Sequence, residues 1–441
     1  MLQSNCRTKA RSVPKSKLTA VLLLTIINTE ILAVSHLKLN DFDAARASAF
    51  TPELVNNIPA QKPMDFALRH GDRVVFFGDS ITEQRLYTTY VEHYVLTHYP
   101  ERNITFINSG WGGDQVTSND CLPCAGTGAL ARVKRDVIDH RPTVVTLLFG
   151  MNDGHYQAFD PALLRVYEGG LSAIIRELKT NTRALIYVMT PTVYDGTFHL
   201  PWSKYDRYSD VLDRYSEAAK QIAQREGLSV IDLHAVTREA LRQAKQADPA
   251  YTFVPDTIHP SEDGHLIMAA EILRSWGASP TGERALKKVS AGENRTTSFI
   301  VSAPLPWPIP LPSENLRSVR PELMAIGQVS LRIPGLPSGK YTIDIDGSDG
   351  GEYSAEQLGS GIPVSSLSAK AKELSTFVVS LVRQRADVYF TRWRQIALLL
   401  AGKYDSAPAA ISSLDSLMDD MALRARTLSK PHSYRVVITR R

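Results

Sequence analysis

The chain has 441 residues, 43% of them hydrophobic and 22% charged, which is the composition of an ordinary globular protein with room for one large domain and a smaller one. Its formal charge of +4 comes from the first 35 residues, where Arg7, Lys9, Arg11, Lys15 and Lys17 face a single acid, Glu30, and the remainder balances at 45 basic against 45 acidic side chains. A neutral body carries none of the basic footprint that nucleic-acid or anionic-lipid binding requires.

The five leading cations precede a short apolar run, Leu18 to Ile27, interrupted by Asn28 and Glu30 and followed by Ala33-Val34-Ser35. This order predicts a secretory signal peptide over 1–35 and therefore export. An uncleaved signal anchor is the alternative, although about ten apolar residues fall short of the ~20 that span a bilayer. Residues 36–69 then form an N-terminal segment. With the leader removed Cys6 is lost, and Cys121 and Cys124 remain in a Cys-Leu-Pro-Cys loop, where a local disulfide is expected in an oxidising compartment. A redox motif would want a thioredoxin-like strand and helix around it, and a zinc site would need two further ligands.

From 70 to 280 short β-branched or aromatic runs alternate with helical patterns. Strands are expected at 73–77, 104–108, 143–149, 184–189 and 229–233. A helix follows the first strand, with Leu86, Tyr90 and Tyr94 in step, and others cover roughly 161–179, 209–226 and 263–277. The alternation predicts an α/β fold of βαβ units around a parallel sheet. A proline-rich stretch, Pro304 to Pro312, lies in a connector over 281–315 and cannot continue a helix or a central strand. Beyond it, 316–441 reads as a smaller α+β region. Runs 328–333 and 340–345 suggest a β-hairpin or small sheet, 346–351 a turn cluster or, less simply, a calcium loop lacking the EF-hand's terminal glutamate, and 367–402 and 411–428 helices. Asn103-Ile-Thr105 and Asn294-Arg-Thr296 have the form of glycosylation acceptors.

The chemistry gathers at strand ends. Val74-Val-Phe-Phe77 runs into Gly78-Asp79-Ser80-Ile81, placing a serine at the carboxyl end of a buried strand, where α/β proteins place ligands. A serine hydroxyl needs a neighbouring base, and an imidazole oriented by a carboxylate supplies one. Asp256-Thr-Ile-His259 offers both groups three residues apart. In Asn108-Ser-Gly-Trp-Gly-Gly113-Asp114, the second strand ends in a glycine turn whose Gly113 N–H can approach a ligand. In Phe149-Gly-Met-Asn152-Asp153, the third ends in an uncharged side-chain donor. Each group alone has a plainer reading: Ser80 and Asn152 as helix caps, Gly113 as an ordinary turn. Asp79 and Asp153 are expected to fix their loops by hydrogen bonds, and His265 reads as a solvated or helix-capping residue in preference to a metal ligand.

These four blocks, Val75-Phe-Phe-Gly-Asp-Ser80-Ile-Thr, Gly110-Trp-Gly-Gly113-Asp, Gly150-Met-Asn152-Asp and Asp256-Thr-Ile-His259-Pro, resemble in order and spacing those of the SGNH hydrolases, the GDSL esterase and lipase family. The resemblance covers about 70–280. It implies a flavodoxin-like three-layer α/β/α sandwich, a Ser80 nucleophile, a His259 base oriented by Asp256, and an oxyanion hole of the Ser80 and Gly113 N–H groups with the Asn152 amide. No metal or cofactor is implied.

The expectation is a secreted serine esterase acting on small acyl esters, with O-acetyl groups on carbohydrate favoured. A lipase, lysophospholipase or thioesterase of the same family is the alternative, and from another class a non-catalytic carbohydrate-binding or envelope scaffold. Trp111, Tyr194 and Trp202, with the neighbouring aromatics of 194–208, are either a sugar-stacking wall or loop packing. The region beyond 315 either shapes the active-site rim or merely enlarges the fold, and oligomeric state is open.

Overall fold

The computed structural model describes residues 53–54, 66–117, 128–197, 205–278, 283–285 and 296–441. The expected leader 1–35, both loop cysteines Cys121 and Cys124, Trp202 and Asn294 lie outside these residues.

After a two-residue strand β1 (Glu53–Leu54), the strands β2 (Arg73–Gly78), β3 (Thr105–Gly110), β4 (Val144–Leu148), β5 (Leu185–Met189) and β6 (Ser229–Ile231) form one all-parallel sheet in the order β3-β2-β4-β5-β6. This is the flavodoxin-like order, whose ligand crevice opens at the carboxyl ends where the winding direction reverses, here around β2. β4 is buried along its whole length and β2 everywhere but its first residue, as expected of strands covered on both faces. The covering helices are α1 (Ser80–Glu83), α2 (Leu86–His98), α3 (Ala129–Asp136), α4 (Pro161–Asn181), α5 (Tyr208–Glu226), α6 (Leu233–Ala247) and α7 (Glu262–Ser275). The fold class is the expected α/β sandwich.

Local chemistry sets the boundaries. Asp160 caps α4 by accepting from the Ala162 N–H at 2.7 Å, with Pro161 at the first helical position. The last strand stops short of the expected Leu233 because Asp232 accepts from the Ala235 N–H at 3.1 Å and starts α6. Two helices, α3 and α6, were not anticipated from the periodicity.

The later elements are β7 (Glu283–Ala285), β8 (Thr296–Ala303), α8 (Glu314–Val319), β9 (Ser330–Arg332), β10 (Lys340–Ile345), β11 (Ser348–Ser354), α9 (Ala355–Ser360), β12 (Ile362–Pro363), α10 (Ala369–Phe390), α11 (Ala407–Leu428) and β13 (His432–Arg440), with a π-helical segment at Thr391–Ala397 continuing α10. A five-stranded sheet runs β1-β8-β13-β10-β11 and a three-stranded one β12-β9-β7. Phe299, Val301, Ile343, Tyr434, Val436 and Ile438 make a second core against Ala371 and Val378 of α10.

The expected pairing of 328–333 with 340–345 does not occur. β10 pairs instead with β11 across Asp346-Gly347, both at positive φ, 56° and 84°, the two-residue turn that an Asp-Gly pair favours. Four of the six residues of the expected turn cluster, 348–351, are therefore strand. The Asp346 carboxylate, read as a possible calcium ligand, accepts from Ser368 Oγ at 2.6 Å, His432 Nε2 at 3.0 Å and the Arg435 N–H at 2.8 Å.

The region beyond 296 is packed onto the sandwich. Trp307, from the proline-rich stretch, is buried in the main core, where its indole donates to Tyr90 O at 2.9 Å and stands edge-on to Tyr94. Along α2, the Ser375 hydroxyl donates to Pro306 O at 2.7 Å and so accepts from His93 Nε2 at 2.9 Å; Arg385 grips Glu92 at 2.6 Å. Trp307→Ala is expected to lower unfolding stability by about 3–5 kcal/mol, the cost of a large cavity at a buried aromatic, seen as a lower urea midpoint. A loss under about 1 kcal/mol would mean that the segment contributes little to the core.

Candidate active site

β2 ends at Gly78, and Ser80 is the first residue of α1, capped by Asp79, which accepts from the Ile81 N–H at 3.0 Å. At this position the Ser80 N–H has no acceptor within its own helix and points, with the helix's positive end, toward developing negative charge. Ser80 Oγ lies 2.8 Å from His259 Nε2, and His259 Nδ1 lies 2.7 Å from Asp256 Oδ2. The second Asp256 oxygen accepts from the Ile258 and His259 N–H groups at 3.1 and 2.6 Å. Burial alone would raise the Asp256 carboxyl, but the bonds from the His259 backbone and ring hold it below the usual carboxylate range. The imidazole is thus held by an anion and aimed at a hydroxyl.

The loop carrying this pair is strained at one point. Thr257, buried and β-branched, has φ +74°, a conformation such residues avoid. Its N–H donates to Val254 O and its carbonyl accepts from the Asp195 N–H, both at 3.0 Å, while Asp195 is itself held by Lys245 at 2.7 Å. Thr257 is the residue that sets Asp256 and His259 facing the same way.

β3 and β4 deliver the other groups. Trp111 to Asp114 is a turn closed by Asp114 N–H to Trp111 O at 3.1 Å, with Gly113 at φ +74°, where glycine is the unstrained choice. Asn152, 3% exposed, accepts from the Tyr156 hydroxyl at 2.6 Å and donates from Nδ2 to Asp114 O at 2.9 Å. The Asp114 carbonyl, which can only accept, fixes which end of the amide is NH₂. Asp153 ties the turns together by accepting from the Val116 N–H at 2.9 Å.

Beneath these loops lies a residue that the sequence did not flag. Arg132 of α3, 1% exposed, donates to Asp114 at 2.5 Å, Gly78 O at 2.9 Å and Ser109 O at 2.8 Å, approaches Asp136 at 3.4 Å, and stacks on Phe77. In Ala129-Leu-Ala-Arg132-Val-Lys-Arg135-Asp136 it is one cation of three, and nothing in the spacing marks it.

Of the two readings of His265, solvated or helix-capping, the second holds: it is fully buried, stacked on Tyr87, accepts from the Tyr87 N–H at 3.3 Å and donates to Gln84 Oε1 at 2.7 Å, so it caps α2 from outside. Burial holds its ring neutral, pushed down to about 3. Tyr194 is core, 3% exposed and edge-on to Tyr208. Trp111 is no open sugar platform, because the Arg394 guanidinium sits 3.4 Å from its ring centroid, Arg132 and Arg135 lie within 5.7 and 5.6 Å, and Trp393 meets its edge.

Residues 76–267 match the description of the GDSL-like lipase/acylhydrolase family. This chain carries a GDSL-like acylhydrolase domain and is a carboxylic ester hydrolase. An acetylxylan esterase of Geobacillus stearothermophilus is 28% identical over 228 residues, covering 47% of this chain and 94% of the relative. The crystal structure of that organism's acetylxylan esterase Axe2 covers 48% of this chain and 97% of its own at a TM-score of 0.39. A gut microbial diltiazem-metabolizing enzyme matches in fold across 85% of this chain and 98% of its own, with TM-score 0.69 and 21% identity. That last likeness extends well past the acylhydrolase domain, so the later region belongs to a shared architecture.

Within the acylhydrolase domain two buried carboxyls are pushed up. Burial dominates at both, taking Asp79 to about 8 and Asp153 to about 7, with each other's charge adding at Asp79. An unfolded aspartate titrates near 3.8, so between these values the native state holds more protons. The stability this confers is complete at acid pH and is lost as pH rises through about 7 and 8. Asp79→Asn, which still accepts from Ile81 and cannot ionise, is expected to flatten the decline in melting temperature between about pH 4 and 8. Parallel declines in mutant and wild type would show that Asp79 does not titrate there.

Proposed function

We propose that the protein is an exported serine esterase that removes small acyl groups, acetyl on carbohydrate foremost, through an acyl-enzyme. The observation that carries the reading is the relay of 2.8 and 2.7 Å from Ser80 through His259 to Asp256. Ser80 Oγ attacks the ester carbonyl carbon as its proton passes to His259 Nε2, and Asp256 stabilises the imidazolium. The carbonyl oxygen, now anionic, accepts from the Ser80 and Gly113 N–H groups and the remaining Asn152 N–H. As the tetrahedral species collapses, the carbon–oxygen bond to the alcohol breaks and His259 protonates the departing oxygen. Water, deprotonated by His259, then attacks the acyl-Ser80 carbonyl and frees the acid.

The preference for acetylated carbohydrate is supported by the acetylxylan esterase relative at 28% identity. Export is supported by the leader pattern of 1–35, and among the described residues no helix is long and apolar enough to cross a membrane.

The test is hydrolysis of p-nitrophenyl esters from acetate to palmitate, with acetylated xylo-oligosaccharides as a second panel. Activity is expected to be highest on acetate and to vanish in Ser80→Ala. Asn152→Ala is expected to lower kcat by about 10²–10³. A maximum at long chains would replace the acetylesterase by a lipase, and activity surviving in Ser80→Ala would remove the acyl-enzyme.

A further inference from the structure

Against the proposed oxyanion turn lies a carboxylate that the proposed reaction does not use. Glu83, three residues after the nucleophile, packs so closely on the turn that a Cβ added at Gly112 would stand 2.7 Å from its Oε2 and 4.0 Å from Ser80 Cβ. Gly113, the proposed oxyanion donor, is the next residue. A carboxylate here repels the charge that forms in the transition state, and in a partly dry site that repulsion is weakly screened.

The cation that answers it comes from a different part of the chain. Arg394 Nη1 lies 3.1 Å from Glu83 Oε1 and 3.5 Å from Gly110 O, while its guanidinium covers the Trp111 face. Both partners are mostly buried, with side chains 17% and 24% exposed. Arg394 sits in the π-helical segment Thr391–Ala397, whose wider turn brings neighbouring side chains nearer to one face, and π segments recur at functional sites. The preceding Trp393 is buried too and donates to Asp136 at 3.3 Å, the carboxylate that Arg132 and Arg135 also approach.

We propose that Arg394 is a positioning residue for ester hydrolysis, supplied by the C-terminal region, that neutralises Glu83 beside the oxyanion and pins the 111–113 turn in its donating geometry. The inference rests on the acyl-enzyme reading above. It assigns the region beyond 315 a part in catalysis, since without that region Glu83 would face the oxyanion alone.

The experiment measures kcat and KM on p-nitrophenyl acetate for the full chain, Ser80→Ala, Arg394→Gln, Arg394→Lys and the double variant Glu83→Gln/Arg394→Gln, with melting temperatures alongside. Arg394→Gln is expected to lower kcat about 10- to 100-fold with KM changed less than about threefold. Removing the unanswered carboxylate in the double variant should return at least about tenfold of that loss. A purely structural arginine would give no such rescue. Arg394→Lys, which keeps the charge, should stay within about tenfold of wild type, and it reads the proposal if the glutamine variant does not fold. The proposal falls if Arg394→Gln stays within about twofold of wild type, if the folded double variant is as impaired as the single, or if Arg394→Lys loses more than about tenfold at an unchanged melting temperature. Ester hydrolysis that survives in Ser80→Ala overturns the acyl-enzyme reading instead, whereas hydrolysis that depends on Ser80 but ignores Arg394 sinks this inference alone.

Discussion

The buried Arg132 guanidinium is the contact on which the rest of the site depends. Its donors are spent on the carbonyls of Gly78, which ends β2, and Ser109, one residue before the end of β3, and on the carboxylates of Asp114 and Asp136. Those two strand ends carry the proposed nucleophile and the proposed oxyanion turn, so one planar fork sets their spacing. Lysine, a compact point charge, offers no such fork. Removing the cation would leave the buried Asp114 carboxylate without its guanidinium, while Asp136 keeps Arg135; breaking a buried pair typically costs about 3–5 kcal/mol, and the strand ends would lose their common reference. Asn152 joins the same frame through Asp114 O, and Asp153 through Val116. The donors are therefore arranged before any substrate arrives, which is what electrostatic catalysis asks of them.

The C-terminal region extends this frame. α10 lies along α2, tied to it by Arg385 to Glu92 and Arg85 to Asp387, and to the start of α7 by Arg383 to Glu262. Of these, the first pair is the least exposed, and the others face water, where ion pairs stabilise little. The apolar burial of Trp307 and the Ser375 link to His93 hold the region in place more firmly than the surface charges do. Once α10 is docked, its continuation brings Trp393 and Arg394 against Trp111, on the very turn that Arg132 supports from below.

Motif spacing made the site legible because each block sits where a parallel strand ends, and the order of the blocks along the chain matches the order in which β2, β3 and β4 deliver them. Strand centres were equally plain, since buried parallel strands are runs of Val, Ile and Phe. What did not show was anything created by contact between distant segments. Arg132, Glu83 and Arg394 are three common surface-type residues, 311 positions apart at the extremes of the last two, and only docking of α10 turns them into a network. Whether His265 was solvated or capping stayed open because its partners, the Tyr87 N–H and Gln84, are presented by α1 and α2. The β10–β11 hairpin was missed although Asp346-Gly347 is a strong turn signal, because Ser348-Asp-Gly-Gly351 has few strand-forming side chains.

The distribution of charge across the site has a single logic. In the proposed reaction, transition-state charge forms near Asp79, Asp153, Glu83 and Asp256, four acids of which ester hydrolysis would employ one. Asp256 is half in solvent and receives three hydrogen bonds, which keep it anionic where an imidazolium needs a partner. Asp79 and Asp153 are buried, and that burial favours their neutral forms, so they can shape loops without adding negative charge behind the nucleophile. Glu83 has neither deep burial nor a cap to serve, and its charge is met by Arg394. Similar groups are thus given different charges by environment alone, the pattern by which one fold separates its acids into distinct roles. A site that left even one of the spare carboxylates ionised and unpaired would be opposing the charge its oxyanion donors are placed to accept.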